Sequence, residues 1–415
     1  MTAPRILLTF LGAGQYTPTT YRFASGAERE TAFFGTALVE ELRAEGMAPD
    51  RVVLAGTSGS GWGVALRALD GESDLQARLH AEAEANAKAY GNAFDEALLE
   101  EARERFTAAY GTTVEPVVLP YGRTEAEALS LLPLLHDRVP PYARLVLDVT
   151  NGLRHLPMTA LAAALALETL APAPIDGVYY GAQSMKTETG AAPVLRLDGL
   201  IQLMRWVRAL AVYDATGRIG PLARAVEGGA ATRGDADLAA SLDHADFLEQ
   251  AGRLDEAVPA LDALVSALAS AQGPVAPLVA PALSARLAWR ANATHSARQA
   301  ALARTALAAG DYLRAALHGF EAEVSRRMEA EGKDPRDRKA RTRAQELHGK
   351  DAVAIVEKNA PASERERAAA ATHLDLKNLR NALAHGTEPR GEALKAALAD
   401  KGALVALLER LLPVS

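Results

Sequence analysis

The amino-acid sequence predicts an α/β domain followed by an all-α part. In the first half of the chain, short apolar runs alternate with segments of helical periodicity, which is typical of a mostly parallel sheet with helices on both faces. Beyond about residue 200, apolar residues recur only at helical spacing. The 415 residues are 49% hydrophobic and 23% charged, which is enough for two or three domains. The first domain is therefore predicted to be Rossmann-like.

Five apolar runs are predicted to form the strands of this domain. They lie at residues 5–11, 51–55, 114–119, 143–149 and 176–180. Each run is short, as buried parallel strands are. Helices are predicted between them at residues 31–45, 72–110, 124–137 and 156–170. In the all-α part, residues 252–257 and 310–315 are predicted to be turns of helical hairpins, although their spacing does not fit a repeat array.

Composition limits the classes of function. The net charge of -7 argues against wholesale electrostatic binding of nucleic acid but permits a local basic patch. Residues 326–350 carry nine Lys and Arg against five Asp and Glu, which could guide RNA, although a solvated charged helix is the commoner explanation.

The chain has no cysteine, which excludes disulfides and thiolate metal sites. The longest nearly uncharged helical stretch, residues 156–167, is too short to cross a bilayer. We expect a cytoplasmic protein with no membrane span and no metal.

Three of the predicted strands end in small polar loops. These loops occupy residues 12–16, 56–61 and 148–155. In an open parallel sheet, ligands bind beyond the carboxyl ends of the strands, where glycines admit a ligand close to the backbone and free N–H groups favour anions. Thr150, Asn151 and Arg154 add hydroxyl, amide and guanidinium groups. The loops therefore predict a site for phosphates and bases, although any one of them could be a simple turn. For Asp148, capping or turn structure is favoured over a metal site.

Arg380 and His385 are predicted to lie on one helix that Gly386 can end. A histidine can exchange a proton near neutral pH and an arginine can stabilise charge on a phosphate, so the pair could cleave RNA without a metal. The same spacing also occurs at residues 290–295 and 343–348, but only Arg380 is followed by the polar Asn381. On spacing alone, a structural role at a helix end is favoured.

Three motifs, taken together, resemble those of the CRISPR-associated CARF-HEPN ribonucleases of type III systems, and the resemblance spans the whole chain. The motifs are Phe10-Leu-Gly-Ala-Gly-Gln-Tyr16 with Tyr21-Arg-Phe23, then residues 148–155, then residues 380–385. In that family, a Rossmann-like CARF domain senses cyclic oligoadenylate and a helical HEPN domain is a metal-independent endoribonuclease. The resemblance implies a CARF domain over residues 1–199, a helical connecting region over 200–300 and a HEPN domain over 301–415.

The resemblance also implies the site residues. The sensor pocket would be lined by Gly12, Gly14, Gln15, Thr57, Ser58, Thr150, Asn151, Gly152 and Arg154. The nuclease site would contain Arg380, Asn381 and His385. Two features depart from the family: Ala13 stands where a hydroxyl residue is frequent, and residues 200–300 contain no matching motif.

The implied mechanism is attack by an RNA 2'-hydroxyl on its own phosphodiester, with His385 moving protons and Arg380 stabilising the phosphorane. The implied partners are single-stranded RNA and a second copy of the chain, with cyclic tetra-adenylate as the favoured allosteric activator and no catalytic cofactor. The sensor domain could also slowly degrade its ring. The alternative function is a ligand-sensing scaffold whose helical part binds a partner or dimerises. A DNA-binding role ranks last because no helix-turn-helix is found.

Overall fold

The computed structural model describes residues 3–14, 16–89, 91–188, 190–227, 233–270 and 275–413. The chain divides into two compact units, Met1–Ile201 and Gln202–Ser415. The first unit combines a β-sheet with helices, and the described residues of the second unit form helices and connecting loops. The predicted order of an α/β part followed by a helical part is therefore confirmed. No helix in the described ranges is long and apolar enough to cross a membrane.

The first unit is built on one eight-stranded sheet. Its strands are β1 (Arg5–Phe10), β2 (Thr19–Arg22), β3 (Glu28–Thr31), β4 (Arg51–Thr57), β5 (Thr113–Leu119), β6 (Arg144–Asp148), β7 (Ile175–Gly181) and β8 (Ala192–Arg196). They lie in the order β3-β2-β8-β7-β6-β1-β4-β5. The five strands from β7 to β5 run parallel, whereas β8 is antiparallel to β7 and β3 is antiparallel to β2. The sheet is therefore mixed.

The five parallel strands are those that the apolar runs predict, and β2, β3 and β8 are missing from the prediction. The missed strands form one side of the sheet and contain four or five residues each. Strand β3 reads Glu-Arg-Glu-Thr and contains no buried residue. A short strand at a sheet edge needs no continuous apolar run, so its sequence carries little signal.

Seven helices accompany this sheet before the unit boundary. They are α1 (Phe34–Ala44), α2 (Trp62–Asp70), α3 (Asp74–Ala89), α4 (Glu96–Tyr110), α5 (Glu125–Leu129), α6 (Leu131–His136) and α7 (His155–Leu170). The predicted continuous helix over 72–110 is two helices. The second begins after Asp95, which caps α4 by accepting hydrogen bonds from the backbone N–H groups of Ala97 and Leu98.

The central strands are buried on both faces. In β1, Leu7 belongs to one apolar cluster, whereas Ile6 and Leu8 belong to a second. This alternation follows from the two-residue period of a strand, and helices cover both sides. The side chains of these strands therefore pack in the core. A ligand would bind at the loops that follow the strands.

The second unit contains eleven helices within the described ranges, counting α8, in which the unit boundary falls. They are α8 (Asp198–Thr216), α9 (Gly220–Glu227), α10 (Arg233–Gln250), α11 (Leu254–Ser270), α12 (Val275–Arg286), α13 (His295–Ala308), α14 (Tyr312–Ala330), α15 (Arg338–Val356), α16 (Glu364–His385), α17 (Glu392–Ala399) and α18 (Lys401–Leu411). One apolar cluster runs from Trp206 to Leu302 and another from Ala303 to Leu412. Both belong to one compact unit, so the division at residue 300 stays a prediction.

The two predicted hairpin turns are confirmed. One joins α10 to α11 and the other joins α13 to α14. Gly252 and Gly310 adopt φ angles of 72° and 75°, a left-handed conformation that glycine takes up without strain.

Candidate functional site

The loops that follow β6, β1 and β4 meet at one edge of the sheet. These three strands are adjacent and parallel, so their carboxyl ends point the same way. The backbone N–H of Gly61 donates to the carbonyl oxygen of Gly12 at 2.8 Å, and the Ser60 hydroxyl donates to the carbonyl oxygen of Leu11 at 3.1 Å. The loop after β1 is therefore tied directly to the loop after β4.

Two glycines bring the backbones of the β1 and β6 loops close together. A Cβ atom on Gly12 would lie 3.4 Å from the backbone nitrogen of Gly152. A Cβ atom on Gly152 would lie 3.1 Å from Cβ of Phe10, and Gly152 has a φ of 104°. A side chain at Gly152 would thus be both crowded and strained.

Asp148 organises the loop after β6 from a fully buried position. Its Oδ2 accepts a hydrogen bond from the Thr9 hydroxyl at 2.6 Å, and its Oδ1 accepts one from the backbone N–H of Thr150 at 2.9 Å. Burial raises the pKa of the Asp148 carboxyl, and the hydrogen bonds from Thr150 and Thr9 oppose that rise. The turn role favoured for Asp148 is confirmed. The Thr150 hydroxyl is held in turn, because it accepts from the backbone N–H of Gly181 at 2.8 Å.

The structure exposes only some of the predicted sensor residues. Gly14 and Arg154 are exposed, and Gly12, Thr150, Asn151 and Gly152 are half-buried. Thr57 and Ser58 are buried: the Thr57 backbone N–H donates to the Ser60 hydroxyl at 2.8 Å, and the Ser58 hydroxyl donates to the carbonyl oxygen of Gly91. These two residues hold their loop, and the accessible groups are on the other two loops. Gln15 lies outside the described residues.

Two residues of the predicted loops, Tyr16 and His155, were not among the predicted site residues. The Tyr16 hydroxyl accepts from the backbone N–H of Gly12 at 2.8 Å, and burial raises the pKa of this phenol. Nε2 of His155 lies 2.6 Å from the carbonyl oxygen of Tyr121, which follows β5. Tyr16 could have been found from its place directly after a glycine loop, but the contact of His155 depends on a loop that no motif marks.

Helix α16 carries the predicted nuclease residues near its C-terminus. Ser363 and Glu366 form a capping box at its start, and Gly386, with a φ of 63°, ends it as predicted. Asn381 is half-buried and His385, the last helical residue, is exposed. This exposure leaves the imidazole accessible to a substrate.

Arg380 is half-buried and stacks on an aromatic ring. Its guanidinium carbon lies 4.9 Å from the centroid of the Phe320 ring, and its Nε is buried without a hydrogen-bond partner among the described residues. Phe320 is itself buried and lies 5.4 Å, centroid to centroid, from His373. The stacking restricts the directions in which the guanidinium can point.

The histidines of the two other pairs with the same spacing each contact a carboxylate. Nδ1 of His295 lies 3.3 Å from Oδ2 of Asp255, and Nε2 of His348 lies 3.1 Å from Oε1 of Glu331. His348 is also buried. Among the three histidines, His385 is the exposed one. In the described part of the chain, no three His, Asp or Glu side chains are grouped so that they could hold a metal ion.

Residues 6–183 match the family model described as CRISPR system endoribonuclease Csx1, CARF domain. This part of the chain is similar to a CARF domain. The match covers β1 to β7 and all three loops of the candidate ligand edge. The predicted resemblance to the CARF-containing accessory proteins of type III CRISPR systems is therefore confirmed.

Other comparisons add little to this match. No curated protein matches the chain. Among solved structures, the chain is similar to Enterococcus italicus Csm6 bound to cyclic hexa-2'-fluoro-hexa-dAMP, with 11% sequence identity and a TM-score of 0.39. The similarity covers 99% of this chain and 93% of that chain. At this level it carries no conclusion about fold or function.

Proposed function

We propose that this protein is a cyclic oligoadenylate-activated, metal-independent endoribonuclease that cleaves single-stranded RNA in type III CRISPR defence. The observation that carries the proposal is the CARF family match over residues 6–183, which includes every loop of the candidate ligand edge. The proposal joins this sensor domain to the Arg380 and His385 pair on α16, at the end of the helical unit.

The ligand edge suits a cyclic oligonucleotide. The exposed Arg154 guanidinium and the backbone around Gly14 offer donors for phosphates, and Thr150 and Asn151 offer a hydroxyl and an amide for bases or sugars. A ring-shaped ligand lies most naturally across the two-fold axis of a homodimer, where each subunit contributes the same loops. Cyclic tetra-adenylate is the ring we favour.

The proposed chemistry uses the RNA's own 2'-hydroxyl as the nucleophile. Its oxygen attacks the adjacent phosphorus and the bond to the 5'-oxygen breaks, which leaves a 2',3'-cyclic phosphate and a 5'-hydroxyl. His385 transfers the protons, and the Arg380 guanidinium stabilises the charge of the phosphorane. Asn381, one residue further along α16, would orient the phosphate. Arg380 and His385 from two subunits would form one composite site, with the ligand favouring the dimer conformation in which they meet.

Exposure of His385 favours this function over a purely structural role. If each His385 were buried in its own core, it could not reach a substrate or the site of a second subunit, but it is exposed. One observation favours the alternative of a ligand-sensing scaffold: Arg380 is half-buried against Phe320, as a structural arginine would be.

The test is cleavage of a fluorogenic single-stranded RNA in EDTA, with and without cyclic tetra-adenylate or hexa-adenylate. We expect ligand-dependent cleavage that is lost in Arg380→Ala and in His385→Ala. Matched controls are Arg365→Ala, an exposed arginine on the same helix, and His244→Ala, an exposed histidine on α10, and both should keep activity. If one ring binds tightly and neither ring stimulates cleavage, the scaffold is the better description.

A further inference from the structure

The helical unit contains a cavity of about 1160 Å³ whose lining includes none of the proposed nuclease residues. Gly252 and Gly310, at the two predicted hairpin turns, both line it, as do α14 and α15. The volume exceeds what one small metabolite requires. The two hairpin turns play no part in the proposed sensing or catalysis. They border a space large enough for a ligand that consists of several linked units.

The wall of this cavity is charged, and its carboxylates are already engaged. Arg314 lies 3.5 Å from Glu249, and Arg341 pairs with Glu321. Asp255 lies 2.5 Å from Arg298. Burial raises the pKa of Glu249 to about 7, so this carboxyl carries only part of its negative charge at neutral pH. The carboxylates of the wall therefore repel an anion less than their number implies.

The cavity continues into a groove that is more basic than the wall. Arg338 and Thr342 line both spaces, and the groove, of about 450 Å³, is also lined by Lys339, Arg343 and one acid, Glu346. Arg338, Lys339 and Arg343 are exposed, and none of the three forms an ion pair within the described ranges. They lie in the first turns of α15, where the helix dipole disfavours cations. A bound anion would offset both the dipole and the mutual repulsion of these side chains.

We propose that this groove and cavity bind the phosphate backbone of single-stranded RNA and hold the substrate away from the cleavage site. This inference rests on the proposed ribonuclease function. The lining contains no Phe, Tyr or Trp among the described residues, so bases have no aromatic ring on which to stack. Binding should therefore depend on phosphate contacts, tolerate many sequences and weaken steeply with salt.

The first test measures binding without cleavage. Full-length His385→Ala protein, in EDTA and without activator, is titrated into a fluorescein-labelled oligouridylate and followed by fluorescence anisotropy. In this background, Arg338→Ala, Lys339→Ala and Arg343→Ala together should weaken binding about tenfold and reduce the slope of log affinity against log salt by about 2, since each phosphate contact contributes about 0.7. A matched control removes the same charge at three other exposed residues, through Arg67→Ala, Arg365→Ala and Lys401→Ala. The proposal is overturned if the groove variant keeps the affinity and slope of the background protein, or if the control weakens binding equally.

Photo-crosslinking provides a second test that does not depend on substitutions. RNA containing 4-thiouridine is irradiated with the same protein, and the adducts are mapped by mass spectrometry. We expect adducts on the peptides that contain Arg338–Arg343 and the α13–α14 turn, whereas adducts confined to the end of α16 would contradict the proposal. Neither test requires activation or turnover. Absence of ligand-stimulated cleavage would therefore contradict the proposed function, whereas the binding result would remain valid.

Discussion

Replacing His373 with leucine should make the helical unit less sensitive to acid. His373 lies on α16, is fully buried, and has no hydrogen-bond partner for either ring nitrogen among the described residues. Burial, together with the nearby positive charge of Arg327, lowers the pKa of His373 from 6.5 to about 4. The folded protein therefore keeps this imidazole neutral at pH values where the unfolded chain protonates it.

The size of the effect follows from that difference in pKa. A group whose pKa is lowered by folding contributes stability above its unfolded pKa, and this contribution is lost as the pH falls from 6.5 towards 4. Between pH 7.5 and pH 5, the loss due to His373 amounts to about 2 kcal/mol. In a unit of this size, 2 kcal/mol corresponds to roughly 4–8 °C in the unfolding midpoint. Leucine has a similar volume and does not titrate, so His373→Leu should remove this part of the acid sensitivity.

The assay compares thermal unfolding of the full chain at pH 7.5 and pH 5 by circular dichroism and tryptophan fluorescence. Burial also lowers the pKa of His318 to about 4, so some acid sensitivity should remain in the variant. His244→Leu, at an exposed histidine of the same unit, is the control and should behave like the wild type. Equal losses of stability in wild type and His373→Leu between the two pH values would refute the reasoning.

Three further predictions concern the candidate sites. Gly152→Ala should cost about 1–3 kcal/mol of backbone strain, because φ of Gly152 is 104°. The substitution should also weaken cyclic oligoadenylate binding in a calorimetric titration, and unchanged affinity would count against a role for this loop. Asp148→Asn should lower the stability of the first unit by about 1.5–3 kcal/mol, since its one oxygen can replace only the acceptor of the Thr150 N–H, and an NH2 group takes the place of the charged acceptor of the Thr9 hydroxyl; the thermal midpoint reports it. Phe320→Leu should reduce ligand-activated RNA cleavage about fivefold through loss of the roughly 1 kcal/mol stacking on Arg380, with ring binding unchanged.

The central strands of the parallel half of the sheet could be predicted because they are buried on both faces. Such strands must be apolar at nearly every position, and each therefore appears as a continuous run in the sequence. Strands β2, β3 and β8 obey no such constraint, and Glu28–Thr31 in particular has no buried residue. Their pairing depends on contacts with distant parts of the chain, which a local pattern does not contain.

The ligand edge was predictable in position but not in detail. Parallel topology makes the ends of β1, β4 and β6 converge, and the glycines and polar residues after those strands are visible in the sequence. The sequence does not show which hydroxyl groups of these loops are exposed. Ser58 is buried because its hydroxyl bonds to the carbonyl oxygen of Gly91, a residue 33 positions away.

The sequence by itself determined the order of an α/β part and a helical part, the loops that could face a ligand, and the end of α16 at Gly386. These features are local, since they follow from periodicity, strand burial and the conformational freedom of glycine. The sequence favoured His385 over the other two histidines at the same spacing through Asn381 and the family resemblance, and the tertiary structure added that His385 alone of the three is exposed. His295 meets Asp255 and His348 meets Glu331 across helices, and burial or exposure in a folded core depends on such distant partners. The cavity in the helical unit also depends on tertiary structure, because helices far apart in the sequence form its wall.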